Sequence, residues 1–146
     1  MLIADVMTKP VCVLQPDDSV QLAAQEMRRH NVGAIPVGRH DELAGIITDR
    51  DIAIGCVAGG HRPEDCRIQE HMTAQPLTIH SGATAEEAIE RMGREQVRRL
   101  CVVDDGHLQG MISLGDLAVR MSRQPAIAEA LAQISSGVRS PITSVA

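Results

Sequence analysis

The chain repeats itself at an interval of 65 residues, and this duplication constrains its fold more than any other feature. Met7 and Thr8 fall on Met72 and Thr73, Ala23 on Ala88, Met27 on Met92 and Arg29 on Arg94. Val32 meets Val97, Val37 meets Val102, Leu43 meets Leu108, Gly45 meets Gly110, Ile47 meets Ile112 and Asp51 meets Asp116. Conservative pairs fill the gaps: Ser19 with Thr84, Ile35 with Leu100, Thr48 with Ser113. The register holds without an insertion, which chance agreement would not sustain. One folding unit has been written twice.

Each copy predicts the same order of elements. A short strand (about Cys12–Leu14, then Leu77–Ile79) leads into an amphipathic helix. The helix keeps Val20, Ala23, Ala24 and Met27 on one face, mirrored by Ala85, Ala88, Ile89 and Met92. Ser19 and Thr84 stand at N-cap positions, and Asp18 with Gln21 offers a competing start one residue earlier. Strands Ala34–Val37 and Leu43–Thr48 follow, matched by Arg99–Val103 and Leu108–Ser113, with GRHDE and DDGH as hairpin loops. Second helices are expected over Asp49–Ala58 and Leu114–Met121. A last helix is expected over Ala126–Ser135, and SSGVRSPITSVA reads as a frayed tail. The domains therefore read as 1–58, a linker at 59–66, 67–122, and a C-terminal helix and tail at 123–146. One such unit buries too little surface to stand alone, so the copies are expected to pack sheet to sheet about a pseudo-twofold axis, leaving clefts.

Composition removes several functions. Among 146 residues there is no Phe, Trp or Tyr, so single-strand nucleic-acid binding by base stacking is excluded. A net charge of −5 argues against a phosphate-backbone binder. No apolar run is long enough to span a membrane, and MLIADVMTKP lacks the regions of a signal peptide, so a cytoplasmic location is expected. Cys12, Cys56, Cys66 and Cys101 form no CxxC pair and are read as free thiols. His61, Cys66 and His71 recur at five-residue intervals, which fits neither helical zinc spacing nor a knuckle. No metal site is expected.

The stretches MTKPVCVLQPDDSV, VGAIPV, VRRLCVV, GIITDRDI and GMISLGDL together resemble the cystathionine-beta-synthase (CBS) domain family, as a tandem pair or Bateman module. The resemblance runs from about Asp5 to Met121 and is closest to small stand-alone bacterial members of the mycobacterial hypoxic-response type. It implies an α+β fold of two β-α-β-β-α repeats with a C-terminal helix. It also implies binding of an adenosine-containing ligand in clefts between the repeats. The family's ribose-holding pair, a Ser or Thr with an Asp three residues later, corresponds to Thr48 with Asp51 and to Ser113 with Asp116.

The residues themselves leave two readings of those pairs open. A carboxylate in the first turn of a helix can accept both hydrogen bonds of a vicinal diol, as a ribose supplies. T-x-x-D is equally a helix-capping pattern, and one carboxylate has acceptor sites for both roles. Arg50 lies inside the first pair and can grip a phosphate bidentately, whereas Gly115 at its counterpart cannot. Arg98 and Arg99 replace Gly33 and Ala34 in the second copy and are the phosphate candidates there. The two sites are therefore expected to be inequivalent, with the Arg50 site preferring a phosphorylated ligand. Val13, Ile35, Pro36 and Val37 would form an aliphatic slot for a base.

No phosphate loop, nucleotide fingerprint or catalytic dyad is present, so no catalytic residue is assigned. The expectation is a non-enzymatic regulatory module that needs no cofactor. Its ligand would be AMP, ADP or ATP, with S-adenosylmethionine and NADH ranked behind them. It would form a homodimer and have a protein partner whose identity the sequence does not give. Alternatives are a ligand-free interaction module, or a thiol- or metal-responsive protein using Cys12, Cys101 or the His61–His71 stretch.

Overall fold

The computed structural model describes residues 1–9, 12–121 and 124–143, with backbone alone for 137–143. Pro10 and Val11 of the opening motif, and the last three residues of the expected tail, lie outside the described residues. The fold is α+β: an α-β-β-α order occurs twice, preceded by a strand only in the second repeat, and a helix follows. The chain divides into two compact units, Pro10–Pro76 with Asp105–Leu108, and Met1–Lys9 with Leu77–Asp104 and Gln109–Ala146. These units cut across the domain limits read from chain order, because the first nine residues are built into the second repeat.

In the first-repeat unit, α2 (Val20–His30) follows Ser19, whose hydroxyl accepts a hydrogen bond from the Leu22 amide at 3.0 Å. Asp18 instead accepts from the Gln15 amide, so the helix starts after Ser19. Strands β1 (Ala34–Arg39) and β2 (Glu42–Thr48) pair antiparallel, joined by His40 and Asp41, both at positive φ as in a type I′ turn. The expected strand Cys12–Leu14 is reduced to one bridge between Leu14 and Val37. After β2, α3 (Asp49–Asp51) widens into a π-helical turn over Ile52–Val57, where the sequence predicts a regular helix. A 3₁₀ turn at Ile68–Glu70 and strand β3 (Thr73–Ala74) complete the unit, with β3 lying against β2.

The second-repeat unit contains α1 (Ile3–Val6), β4 (Thr78–Ile79), α4 (Ala85–Glu95), β5 (Arg99–Asp104), β6 (His107–Ser113) from Gln109 onward, α5 (Leu114–Arg120) and α6 (Pro125–Thr143). Thr84 and Glu87 close a reciprocal cap on α4, with the Thr84 hydroxyl accepting from the Glu87 amide and Glu87 accepting from the Thr84 amide. Ala88, Ile89 and Met92 on the inner face of α4 are buried with Leu100, Val102, Ile112 and Leu117. Helix α6 adds Ala130 and Ile134 to that core. It continues to Thr143 instead of fraying after Ser135: once packed and nucleated, a helix extends at low cost.

One packing rule is written into both units. Gly45 in β2 lies opposite Ala74, and a Cβ there would stand 2.7 Å from the Thr73 carbonyl. Gly110 in β6 faces the Met7–Thr8 segment, and a Cβ there would stand 2.8 Å from the Thr8 carbonyl. The repeated Met-Thr and the repeated Gly are thus two halves of one contact.

Candidate functional site

Each repeat ends a strand in a hydroxyl residue and starts a helix at once, and the two corners are built alike. The Thr48 hydroxyl accepts from the Asp51 amide at 3.1 Å, while Asp51 Oδ2 accepts from the Thr48 amide at 2.9 Å. The Ser113 hydroxyl accepts from the Asp116 amide at 3.0 Å, and Asp116 Oδ2 accepts from the Ser113 amide at 3.2 Å. Each corner is also tied to the residue just before the first strand of its hairpin: the Asp49 amide donates to the Gly33 carbonyl, and the Leu114 amide to the Arg98 carbonyl. All four predicted residues therefore cap helices. In both aspartates the cap uses Oδ2 and leaves Oδ1 as an acceptor.

The corners differ in what surrounds them. At the second, a pocket of about 370 Å³ is lined by Arg98, Arg99 and Ser113 together with the apolar Leu114, Ile127 and Leu131. Both arginines are exposed, and neither forms an ion pair among the described residues. At the first corner, Asp49 replaces Leu114, and its carboxylate lies so close to Gly33 that a Cβ there would stand 2.9 Å from Oδ2. Asp49 Oδ1 accepts from the Arg50 amide, and Arg50 itself is exposed. An anionic group thus occupies the first corner at the position filled by an apolar side chain in the second.

The four residues read as a base slot do not share one environment. Ile35 and Val37 belong to the core of the first-repeat unit, and Pro36 is buried between them. Val13, at 45% exposure, is the one with surface to offer a ligand. Sequence reasoning missed Ile127 and Leu131, because α6 has no counterpart in the first copy and no periodicity links it to the corner. The thiols named as a rival site are poorly suited to redox sensing. Burial pushes Cys101 up to about 11, and burial with the nearby Glu26 carboxylate pushes Cys12 upward, so neither thiolate is favoured near neutral pH. Among the described residues, no helix is long and apolar enough to cross a membrane.

Comparison with known proteins agrees with this arrangement. The CBS domain model matches residues 3–55 and 68–123. The CBS domain-containing protein YhcV of Bacillus subtilis is 38% identical over 133 residues, covering 91% of this chain and 94% of that protein. Hypoxic response protein 1 of Mycobacterium tuberculosis is 33% identical over 115 residues, covering 78% and 80% of the two chains. The crystal structure of Hypoxic Response Protein I, described with two coordinated zinc ions, superposes with a TM-score of 0.74 at 31% identity, over 86% of this chain and all of that one. The CBS domain pair of protein MJ0100, solved with 5-methylthioadenosine and S-adenosyl-L-methionine, gives a TM-score of 0.75 at 27% identity, over 84% of this chain and all of that one. The duplicated corners, their shared caps and these matches place the chain in the CBS-domain family, as a tandem pair of CBS repeats.

Proposed function

We propose that the protein is a non-enzymatic, cytoplasmic regulatory module that binds an adenosine nucleotide, and that the second-repeat corner is its stronger site. The observation that carries this reading is the pocket at Ser113. It combines two arginines for phosphate with apolar side chains for a base, and its Ser113 is hydrogen-bonded to Asp116, outside the lining, whose carboxylate would take a ribose diol. Its volume, about 370 Å³, lies within the usual range of small-molecule sites. Asp116 Oδ1 would accept from the ribose hydroxyls while Oδ2 keeps the helix capped. Arg50 would serve a phosphate at the first corner, but Asp49 opposes an anion there, so in this reading the preference for a phosphorylated ligand passes from the Arg50 site to the second corner. The adenosine ligands of the MJ0100 CBS pair support the ligand class.

Calorimetry with AMP, ADP, ATP, S-adenosylmethionine and NADH tests this. Asp116→Ala should weaken nucleotide binding roughly tenfold or more, the loss expected for hydrogen bonds to a charged group, and Asp51→Ala should cost less. Equal losses would remove the proposed inequivalence. Absence of binding by all five at millimolar concentration would leave the ligand-free interaction module as the reading. The lack of aromatic residues makes a first screen simple, since absorbance of the purified protein at 260 nm would come from bound nucleotide.

A homodimer is proposed on the helices that follow the corners. Ile54 and Val119 are repeat partners, exposed to 61% and 84%, and Val57 beside the first of them is 62% exposed. Large apolar side chains so open at matching positions suit coverage by a second chain. Sedimentation should show a dimer that Ile54→Lys with Val119→Lys converts to monomer; a wild-type monomer at tens of micromolar would reject it.

A further inference from the structure

The first-repeat unit gathers three metal-ligating side chains that the site described above does not use. Cys56 lies in the π-helical turn, Cys66 in the segment before the 3₁₀ turn, and His71 directly after it. One ligand atom from each lies within 4.8 Å of the others. The two sulfurs are 3.3 Å apart, and both cysteines are buried, at 0% and 4% exposure. His71 Nε2 is buried without a hydrogen-bond partner, and Gly55 leaves room for the ring, since a Cβ there would stand 2.6 Å from Nδ1.

The repeat makes this grouping pointed. At an offset of 65, Cys56 corresponds to Met121, Cys66 to Met1 and His71 to Val6. One copy has an apolar side chain at all three positions; the other has two thiols and an imidazole. Ordinary core packing requires only the former.

We propose that Cys56, Cys66 and His71 form a binding site for a thiophilic divalent cation, Zn²⁺ foremost. Two thiolates and one imidazole are the donor set that borderline-soft zinc selects over harder cations. Tetrahedral Zn–S bonds of about 2.3 Å set the sulfurs about 3.8 Å apart, so these sulfurs need to spread by about half an ångström. A disulfide, at about 2.05 Å, would require them to close by more than an ångström and would leave His71 Nε2 without a partner. Binding releases the two thiol protons to solvent, and the dication is then balanced by two thiolates. The fourth position falls to water or to His61, whose ring centroid is 6.4 Å from that of His71. The ion would pin the linker at 59–66 to the π-helical turn, where the second copy keeps a regular helix.

The test uses the full chain, reduced and metal-free, titrated with Co²⁺ and then Zn²⁺. One equivalent of Co²⁺ should produce thiolate-to-cobalt charge-transfer bands, visible against a protein without aromatic absorption, and Zn²⁺ should abolish them. Cys56→Ser and Cys66→Ser should weaken binding by roughly 100-fold or more, beyond the 10–100-fold typical of losing an outer-shell partner. His71→Ala, at a half-buried position, should weaken it at least tenfold and retain native circular dichroism. Cys12→Ser should leave the titration unchanged, which separates this site from the grouping of Cys12, Glu26 and His30. The proposal is overturned by reduced wild type that gives no charge-transfer band, or by a band that survives His71→Ala at full affinity. A band lost in Cys12→Ser would overturn it equally.

Discussion

Gly110→Val should lower the urea midpoint by an amount equivalent to about 3 kcal/mol, the upper end of what overpacking costs in a closed interior. The side chain has nowhere to go. Its Cβ would stand 2.8 Å from the Thr8 carbonyl and 2.9 Å from Met7 Sδ. The sulfur belongs to a flexible chain and can move, but the carbonyl cannot. Thr8 exchanges two backbone hydrogen bonds with Met111, at 2.8 and 2.7 Å, so retreat of the segment breaks both. Gly115→Ala is the matched control. Its nearest neighbour would be Ser113 Oγ at 3.7 Å, and in an exposed helix the change should stabilise by about 0.5–1 kcal/mol. Loss of less than about 1 kcal/mol in Gly110→Val would show that the segment moves aside at little cost. The repeat would then need another reason to keep Gly45 and Gly110 beneath its two Met-Thr segments.

The same contact shows what sequence can disclose and what it cannot. The offset of 65 aligns Met-Thr with Met-Thr and Gly with Gly, yet nothing local says that these residues touch. Features fixed by neighbouring residues are readable. The caps at Ser19 and Thr84, the hairpin turns and the hydroxyl–aspartate corners each depend on partners within a few positions, where residue type decides geometry. Features fixed by distant residues are not. Cys56 and Cys66 meet across a ten-residue excursion, which ligand-spacing rules do not capture. The π-helical turn carries an apolar pattern that suits a regular helix equally well. Ile35 and Val37 read as a ligand slot because strand position alone cannot separate a core face from a pocket wall. The ligand class proposed for the corners rests on the resemblance to CBS domains and not on spacing.

Ile3→Ala should cost about 3 kcal/mol, although chain ends usually tolerate change. Ile3 is fully buried and Val6 is 4% exposed, both inside the cluster that holds Ala85, Ile89 and Met92. The backbone around them is fastened as well. The Ile3 amide donates to the Ala83 carbonyl, the Ala4 amide to Ser81, and the Ala85 amide to Met1, each at 2.9 Å. The first turn of α4 is thus partly organised by residues more than 80 positions earlier in the chain. Ile68 is the repeat partner of Ile3 and is equally buried, so Ile68→Ala should cost the first-repeat unit a similar amount. The expected signature is a lowered melting temperature with near-native circular dichroism at low temperature in both variants. A loss below about 0.5 kcal/mol in Ile3→Ala would mean that the N-terminal segment rests on the second repeat without contributing to its stability. A second-repeat fragment beginning at residue 67 would then be expected to fold unaided. With the larger loss, such a fragment lacks part of its own core and should fold only when residues 1–9 are supplied to it.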